Sequence, residues 1–341
     1  MEETAKNIDR LVTAAAGWGG RPDRWIVPAL YESASQKAGG KPVSLAAAQR
    51  MVEHVKEGDT VVLIDQFGYL PNLPYGETDG PLGVASLARA VRFGLKGLPV
   101  LVTGPRDMDA SCQTIRAAGL NVLPYVEARR FTGALAGEFR FPVADDVESK
   151  RAAARILDEC APKAVVTVET AGPNRIGVKH SSAGYDLEAL EKLPKLEQLF
   201  YEATSRKILT IAVIDRGNEL GAGTIEDAVR KVTPHTDVCR CPCRGGGACA
   251  VETDIVFPAS SCNWGAYAIT AMIGCLLEKP EVLQDEDTEY RMLDSCVMAG
   301  AVDSVANRAI MGVDGIGIKG QQGLINLLHA IVENALRTSS L

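Results

Sequence analysis

Six short runs of β-branched and aliphatic residues, at 60–64, 99–103, 121–126, 164–168, 209–214 and 254–257, are separated by longer stretches with helical spacing. The runs are largely apolar and do not alternate with polar residues. A strand can be apolar on both sides only where both faces of its sheet are covered, as in a parallel sheet flanked by helices. The helical stretches fall at 45–56, 83–93, 110–118, 148–160, 187–205 and 224–231. This alternation predicts an α/β fold, a layered and mostly parallel sheet flanked by helices, with ligands expected where strand ends meet loops. From Asn263 onward the pattern is mostly helical (264–277, 289–300 and 320–336), so a helix-rich C-terminal third is expected. A break at 141–147 suggests an N-terminal α/β unit at 1–145 and a second at 146–341, sharing one core and one site.

Composition narrows the function. Asp and Glu number 43 against 36 Lys and Arg, which argues against a nucleic-acid partner. The longest near-apolar run, 265–277, is 13 residues, too short to cross a bilayer, and the N-terminus has no secretory pattern. Nine cysteines are an odd number in a long chain; a disulfide framework is not expected, and a reducing, cytoplasmic setting is. A homo-oligomer is left open. With only four histidines and 33 glycines, an active site here would rest on carboxylates, amides and backbone N–H groups at tight turns.

Four segments place such groups at turns. In Gly76–Gly83, Glu77 and Asp79 flank Thr78 and precede Gly80, and Thr78 or Asp79 is positioned to cap the helix that follows. An ordinary capped helix start is the plainer reading. The second segment, 214–224, carries Asp215, Arg216, Gly217, Asn218, Glu219 and Gly221. Its glycine spacing matches neither the dinucleotide fingerprint nor a P-loop, so no nucleotide or flavin is expected. Its plainer reading is a self-satisfied turn. The third segment joins a strand end to a helix through Ser261, Cys262, Asn263 and Trp264. Ser261 or Asn263 is placed to cap that helix, and the Asn–Trp pair either lines a polar pocket or plugs the core. The fourth holds two Val-Asp pairs in small-residue loops, at Asp303 and Asp314.

Cys239, Cys241, Cys243 and Cys249 follow the spacing C-x-C-x-C-x5-C, interleaved with Arg240 and Arg244. Zinc or an iron–sulfur cluster, a reactive thiol pair, and a flexible loop without chemistry are all compatible with it. His180 and His235 lie in loops as further candidate ligand contacts.

Taken in order, Ile8–Leu11, Leu30-Tyr31, Leu45–Ala48, Glu77–Pro81 with Leu87–Ala90, Gly217–Gly221 with Gly223, Asn263–Tyr267 and Gly300–Asp303 resemble the D-glutamate cyclase-like family over most of the chain. The resemblance implies a lactam-forming hydro-lyase that dehydrates D-glutamate to 5-oxo-D-proline, or runs in the hydrolytic direction as a lactamase. It implies a small amino-acid or lactam substrate. It also implies catalytic carboxylates among Glu77, Asp79, Asp215 and Glu219, with backbone N–H groups near Gly80 or Gly221 at the developing oxyanion. Thr78, Gly80, Arg216, Gly217, Asn218, Gly221, Asn263, Trp264 and Glu169 are the implied substrate contacts. A hard divalent cation, Mn²⁺ or Mg²⁺, suits Asp79, Asp215 and Asp303. The chain departs from the family pattern where Thr170 replaces an Arg, Ile176 an Asp and Arg216 a Gly, and the cysteine-rich segment is not a family feature. A different substrate is therefore expected to be tolerated. A carboxylate-metal-dependent amidohydrolase and a non-catalytic amino-acid-binding protein are the alternatives.

Overall fold

The apolar runs lie side by side in one seven-stranded sheet in a computed structural model of the protein, which describes residues 1–14 and 25–338. The strands are β1 (Thr60–Gln66), β2 (Leu98–Thr103), β3 (Asn121–Pro124), β4 (Leu135–Arg140), β5 (Ala164–Thr170), β6 (Leu209–Ile214) and β7 (Ile255–Pro258). They run parallel in the order β3-β4-β2-β1-β5-β6-β7. β1, β2, β5, β6 and β7 are buried along their whole length, as strands covered on both faces must be. The fold class is the one the alternation predicts.

Three helices, α1 (Glu2–Val12), α2 (Ile26–Lys37) and α3 (Val43–His54), precede the sheet. Then come α4 (Pro81–Arg89), α5 (Met108–Ala117), α6 (Tyr125–Ala128), α7 (Asp146–Cys160), α8 (Glu197–Ser205) and α9 (Glu226–Val232). The C-terminal third supplies α10 (Cys262–Leu277), α11 (Glu286–Met298), a hairpin of β8 (Gly312–Val313) and β9 (Ile316–Gly317), and α12 (Ile318–Thr338). The long apolar run noted above is α10, buried from Cys262 to Cys275. A helix apolar on all sides belongs inside a fold, and α10 packs against α3, α4 and α12 and on β5 and β6. Among the described residues no helix is long and apolar enough to cross a membrane.

Local chemistry explains where the elements depart from expectation. The stretch 187–205 is helical only from Glu197; before it Pro194, which lacks an N–H and disfavours helix in its predecessor, keeps the chain irregular. Pro124 likewise ends β3 and α6 follows. β4 has no expected counterpart because Gly137, Glu138 and Arg140 interrupt its apolar pattern.

Strands from both sides of 141–147 join the same sheet, with β1 and β5 adjacent at its middle. From β1 the chain builds outward one way through β2, and from β5 the other way through β6. The carboxyl ends of β1 and β5 therefore splay their loops apart, leaving a crevice where α/β sheets bind ligands.

Candidate active site

At that crevice the register of β5 against β1 slips. Ile64 faces Thr167 but Gln66 faces Thr170, so β5 carries one extra residue. Glu169 takes up the slip with φ +44°, a conformation uncommon outside glycine. A bulge of this kind turns a side chain away from the pleat, and Glu169 turns into the crevice.

After β6, Asp215 opens a loop that closes on itself. Backbone N–H groups of Arg216 and Gly217 donate to the Glu219 carboxylate at 3.2 and 2.7 Å. Leu220 N–H donates to Thr170 C=O at 2.7 Å and Gly172 N–H to Asn218 C=O at 2.9 Å. This pinning carries Glu219 alongside Glu169. Gly217 has φ +92°, and a Cβ there would lie 2.4 Å from Val229, so only glycine fits this turn.

The β8–β9 hairpin brings a further carboxylate. Asp314 and Gly315 form its tip with φ +51° and +78°, the type I′ preference of an Asp-Gly pair. Thr78 Oγ1 donates to Gly312 C=O at 2.8 Å, anchoring the hairpin beside the 76–80 loop. The Ser304 hydroxyl donates to Asp314 Oδ1 at 3.2 Å, while Asp314 Oδ2 is buried with no hydrogen-bond partner among the described residues.

The resulting cleft, about 400 Å³, is lined by Glu77, Glu169, Asp215, Glu219 and Asp314, with Arg216, Asn218 and Ser304. Phe67, Leu73 and Leu187 form an apolar wall. Carboxylate oxygens of Asp79, Asp215 and Asp314 lie within 4.8 Å of one another, as do those of Glu169, Asp215 and Glu219. Asp215 thus links two trios. Burial, followed by repulsion from neighbouring carboxylates, holds Glu77, Glu169, Asp215 and Asp314 well above the ordinary carboxylate range. Among the described residues Arg216 is the sole basic side chain of the lining. A group of buried acids so poorly balanced must either keep protons or hold a cation, and an all-oxygen donor set suits Mg²⁺ or Mn²⁺.

Several expected site residues carry structural roles, some of them outside the cleft lining. Asp79 lies behind the cleft, where its carboxylate accepts from Ser261 Oγ at 2.9 Å and from the N–H groups of Cys262 and Asn263 at 2.7 Å. It therefore caps α10 and not the helix it precedes. Asn263 Oδ1 caps α4, accepting from Gly80 N–H at 2.9 Å and Gly83 N–H at 2.7 Å. The Gly80 N–H is committed there. Trp264 is buried with its Nε1 on Gln321 Oε1 at 2.8 Å, so the Asn–Trp pair plugs the core. Thr78, Gly80, Gly217 and Gly221 shape loops outside the cleft lining, and Gly221 packs against Ala212 and Thr253. Asp303 accepts from the N–H groups of Val305, Ala306 and Gly315 and belongs to neither trio. Asp314 stands where Asp303 was expected, and its type I′ turn was its one signal in the sequence.

Two more acids lie beneath the cleft. Asp65, at the end of β1, accepts from Ser111 Oγ at 2.8 Å, and burial raises it to about 7. Asp107 accepts from Phe67 and Gly68 N–H, and burial raises it to about 6.

The cysteine cluster also divides. Cys239, Cys241 and Cys243 meet His180, all four donor atoms within 4.8 Å of one another. Cys249 is buried apart from them against Gly172, where a Cβ would lie 2.3 Å from its Sγ.

Comparison with known proteins finds sequence relatives over much of the chain. The family model described as D-glutamate cyclase-like, C-terminal, matches residues 31–329. The human mitochondrial D-glutamate cyclase is 32% identical over 110 residues, which cover 32% of this chain and 16% of that protein.

Proposed function

The chain belongs to the D-glutamate cyclase-like family, and on that premise we propose that it is a hydro-lyase that closes a small acidic amino acid into its lactam and water, or opens the lactam. The observation that carries this reading is the cleft itself, which sets five buried carboxyls, at Glu77, Glu169, Asp215, Glu219 and Asp314, around one arginine.

Ring closure forms one C–N bond and breaks one C–O bond. The ammonium gives up two protons on becoming the lactam N–H, and the departing carboxylate oxygen takes up two on becoming water. The site thus needs groups that relay protons from nitrogen to oxygen with no net gain. Carboxyls whose proton affinity is raised by burial, as at Glu77, Glu169, Asp215 and Asp314, are suited to both halves of that relay. Glu77 lines the cleft, and a raised affinity allows it to accept from the amine and return the proton to the leaving oxygen. Arg216 offers a planar fork to the substrate's α-carboxylate, with the Asn218 amide beside it. Holding the chain folded brings the amine onto the side-chain carboxyl, and proximity then supplies much of the rate.

Asp79, Asp215 and Asp314 would hold Mn²⁺ or Mg²⁺, with Glu169 and Glu219 also grouped with Asp215. The buried, unpartnered Asp314 Oδ2 fits that assignment. Bound there, the ion would offset the charge of the cluster and supply Lewis-acid polarisation. The nine free thiols fit a reducing compartment such as the cytoplasm.

The test is a panel of D- and L-amino acids and their lactams, incubated with the protein and Mn²⁺ and followed by mass spectrometry. A change of one water in an acidic amino acid or its lactam is the expected result. A folded, cation-supplied protein that changes none of them overturns the reading.

A further inference from the structure

On the flank of the cleft, the loop 235–249 folds back over the segment 173–187. Alternate residues Cys239, Cys241 and Cys243 turn their thiols toward one point, and the imidazole of His180, nearly sixty positions earlier in the chain, closes the group. Cys239 Sγ lies 3.4 Å from Cys241 Sγ and 3.3 Å from Cys243 Sγ. His180 Nε2 lies 3.2 Å from Cys241 Sγ and 3.4 Å from Cys243 Sγ. We propose that these four side chains hold a structural zinc ion, distinct from any cation of the carboxylate cluster.

The chemistry of the donors selects the ion. Three thiolates and one imidazole form one of the standard tetrahedral zinc sets, with Zn–S of about 2.3 Å and Zn–N of about 2.0–2.1 Å. Tetrahedral bonds of those lengths separate sulfurs by about 3.8 Å and sulfur from nitrogen by about 3.5 Å. The observed spacings are within about half an ångström of both. Soft sulfur donors disfavour Mg²⁺ and Mn²⁺. An iron–sulfur cluster spaces its cysteine sulfurs around several metal atoms, wider than this group allows. Four protein donors also leave no open position, the mark of a structural site.

The surroundings fit a thiolate-bound ion. Gly245 N–H points at Cys243 Sγ at 3.4 Å, the kind of backbone donation that steadies a metal-bound sulfur. Zinc with three thiolates and a neutral imidazole carries one net negative charge. Arg240 and Arg244 flank it, and Arg244 Nη1 reaches Cys239 C=O at 3.5 Å.

The ion would have a mechanical consequence for the cleft. His180 C=O accepts from Asn218 Nδ2 at 3.1 Å, and the next residues, Ser181 to Ala183, are part of the cleft wall. Zinc would tie that wall to the cysteine loop, holding by coordination a segment that has little regular structure of its own.

The test measures zinc in the full chain purified without added metal or chelator. About one zinc per chain is expected, retained in Asp314→Asn and lost in His180→Ala and in Cys243→Ser. Because either of the last two variants could misfold, two readouts use the unaltered protein. Cobalt exchanged into the site should give the intense visible bands of a tetrahedral ion and thiolate-to-metal charge transfer. Cys239, Cys241 and Cys243 should resist alkylation until a chelator is added. Absence of zinc with all three thiols freely alkylated, a Cys239–Cys243 disulfide, or cobalt spectra without charge transfer would each overturn the assignment. The readouts concern metal and thiols only, so their outcome is independent of whether the protein cyclises an amino acid.

Discussion

Asp79 and Asn263 cap each other's helices. The Asp79 carboxylate accepts the N–H groups of Cys262 and Asn263 at the start of α10, and the Asn263 side-chain oxygen accepts those of Gly80 and Gly83 at the start of α4. Asn263 Nδ2 completes the exchange by donating to Thr78 C=O at 2.9 Å. Two segments 184 positions apart are locked in one register, and the lock sits directly behind the carboxylate cleft.

Asn263→Ala should therefore be among the most destabilising single changes. It leaves the Gly83 N–H and the Thr78 C=O without the Asn263 side chain, each worth about 1–3 kcal/mol, and the Gly80 N–H with Asp79 Oδ1 alone at 3.1 Å. Asn263→Asp keeps an acceptor but loses the donor and sets a second charge against Asp79, so it should melt lower at about pH 8 than at about pH 5. Thermal denaturation at both pH values checks both variants.

Stability of the cation-free protein should fall as pH rises. Burial holds Asp65 at about 7, Asp107 at about 6 and Glu289, on α11 where it accepts from the Tyr267 hydroxyl and Gln284 Nε2, at about 7. These values exceed those of the unfolded chain, so between about pH 4 and 7 the folded state binds more protons. The stabilisation is complete below that window and lost on rising through it. Denaturant midpoints across the range, in chelator, measure the slope; a rise with pH would contradict it.

Mn²⁺ or Mg²⁺ should oppose that trend, because the cleft carboxyls around Asp215 and Asp314, which also keep protons at low pH, bind the ion more strongly as pH rises. At a concentration a hundredfold above its dissociation constant it should add about 2.7 kcal/mol. Asp215→Asn and Asp314→Asn should abolish the thermal shift, while Asp303→Asn should lower stability and leave the shift intact.

Glu77→Gln should reduce turnover by about 10²–10⁴-fold, the usual contribution of a positioned proton-transfer group. KM and cation affinity should change little. Steady-state kinetics and isothermal titration with Mn²⁺ separate the two effects.

Arg216→Lys should raise KM by about 10–100-fold for a substrate bearing an α-carboxylate, with a smaller change in kcat. A lysine keeps the charge but not the planar two-pronged geometry. An analogue lacking the α-carboxylate should bind both forms equally.

Much of the site's raw material is legible in the chain. Glu77, Asp215 and Glu219 stand at glycine turns after apolar runs, and those turns arrive at the carboxyl edge of the sheet. The fold class follows from the same runs, because uninterrupted apolar strands require cover on both faces. Local sequence misleads at the caps. Asp79, followed by Gly-Pro and a helix, resembles the cap of the helix next to it. Its oxygens are taken by α10, since the parallel sheet sets the two helix starts face to face. Glu169 is similar: as the penultimate residue of a buried strand it points into the crevice only because β5 slips by one residue against β1, and register exists only between strands.

Composition and periodicity by themselves determined the layered α/β architecture, the placing of acidic residues at glycine turns, and the run of thiols in one loop. Tertiary structure alone decided which acids meet. It replaced Asp303 with Asp314, drew Glu169 beside Glu219, set Asp79 and Asn263 to capping, and exchanged Cys249 for His180 around the thiols. The physical reason is the same each time. Hydrophobic periodicity is a property of a few successive residues, whereas the meeting of charged or metal-binding side chains from distant segments depends on strand order, register and loop closure, which form only as the chain packs.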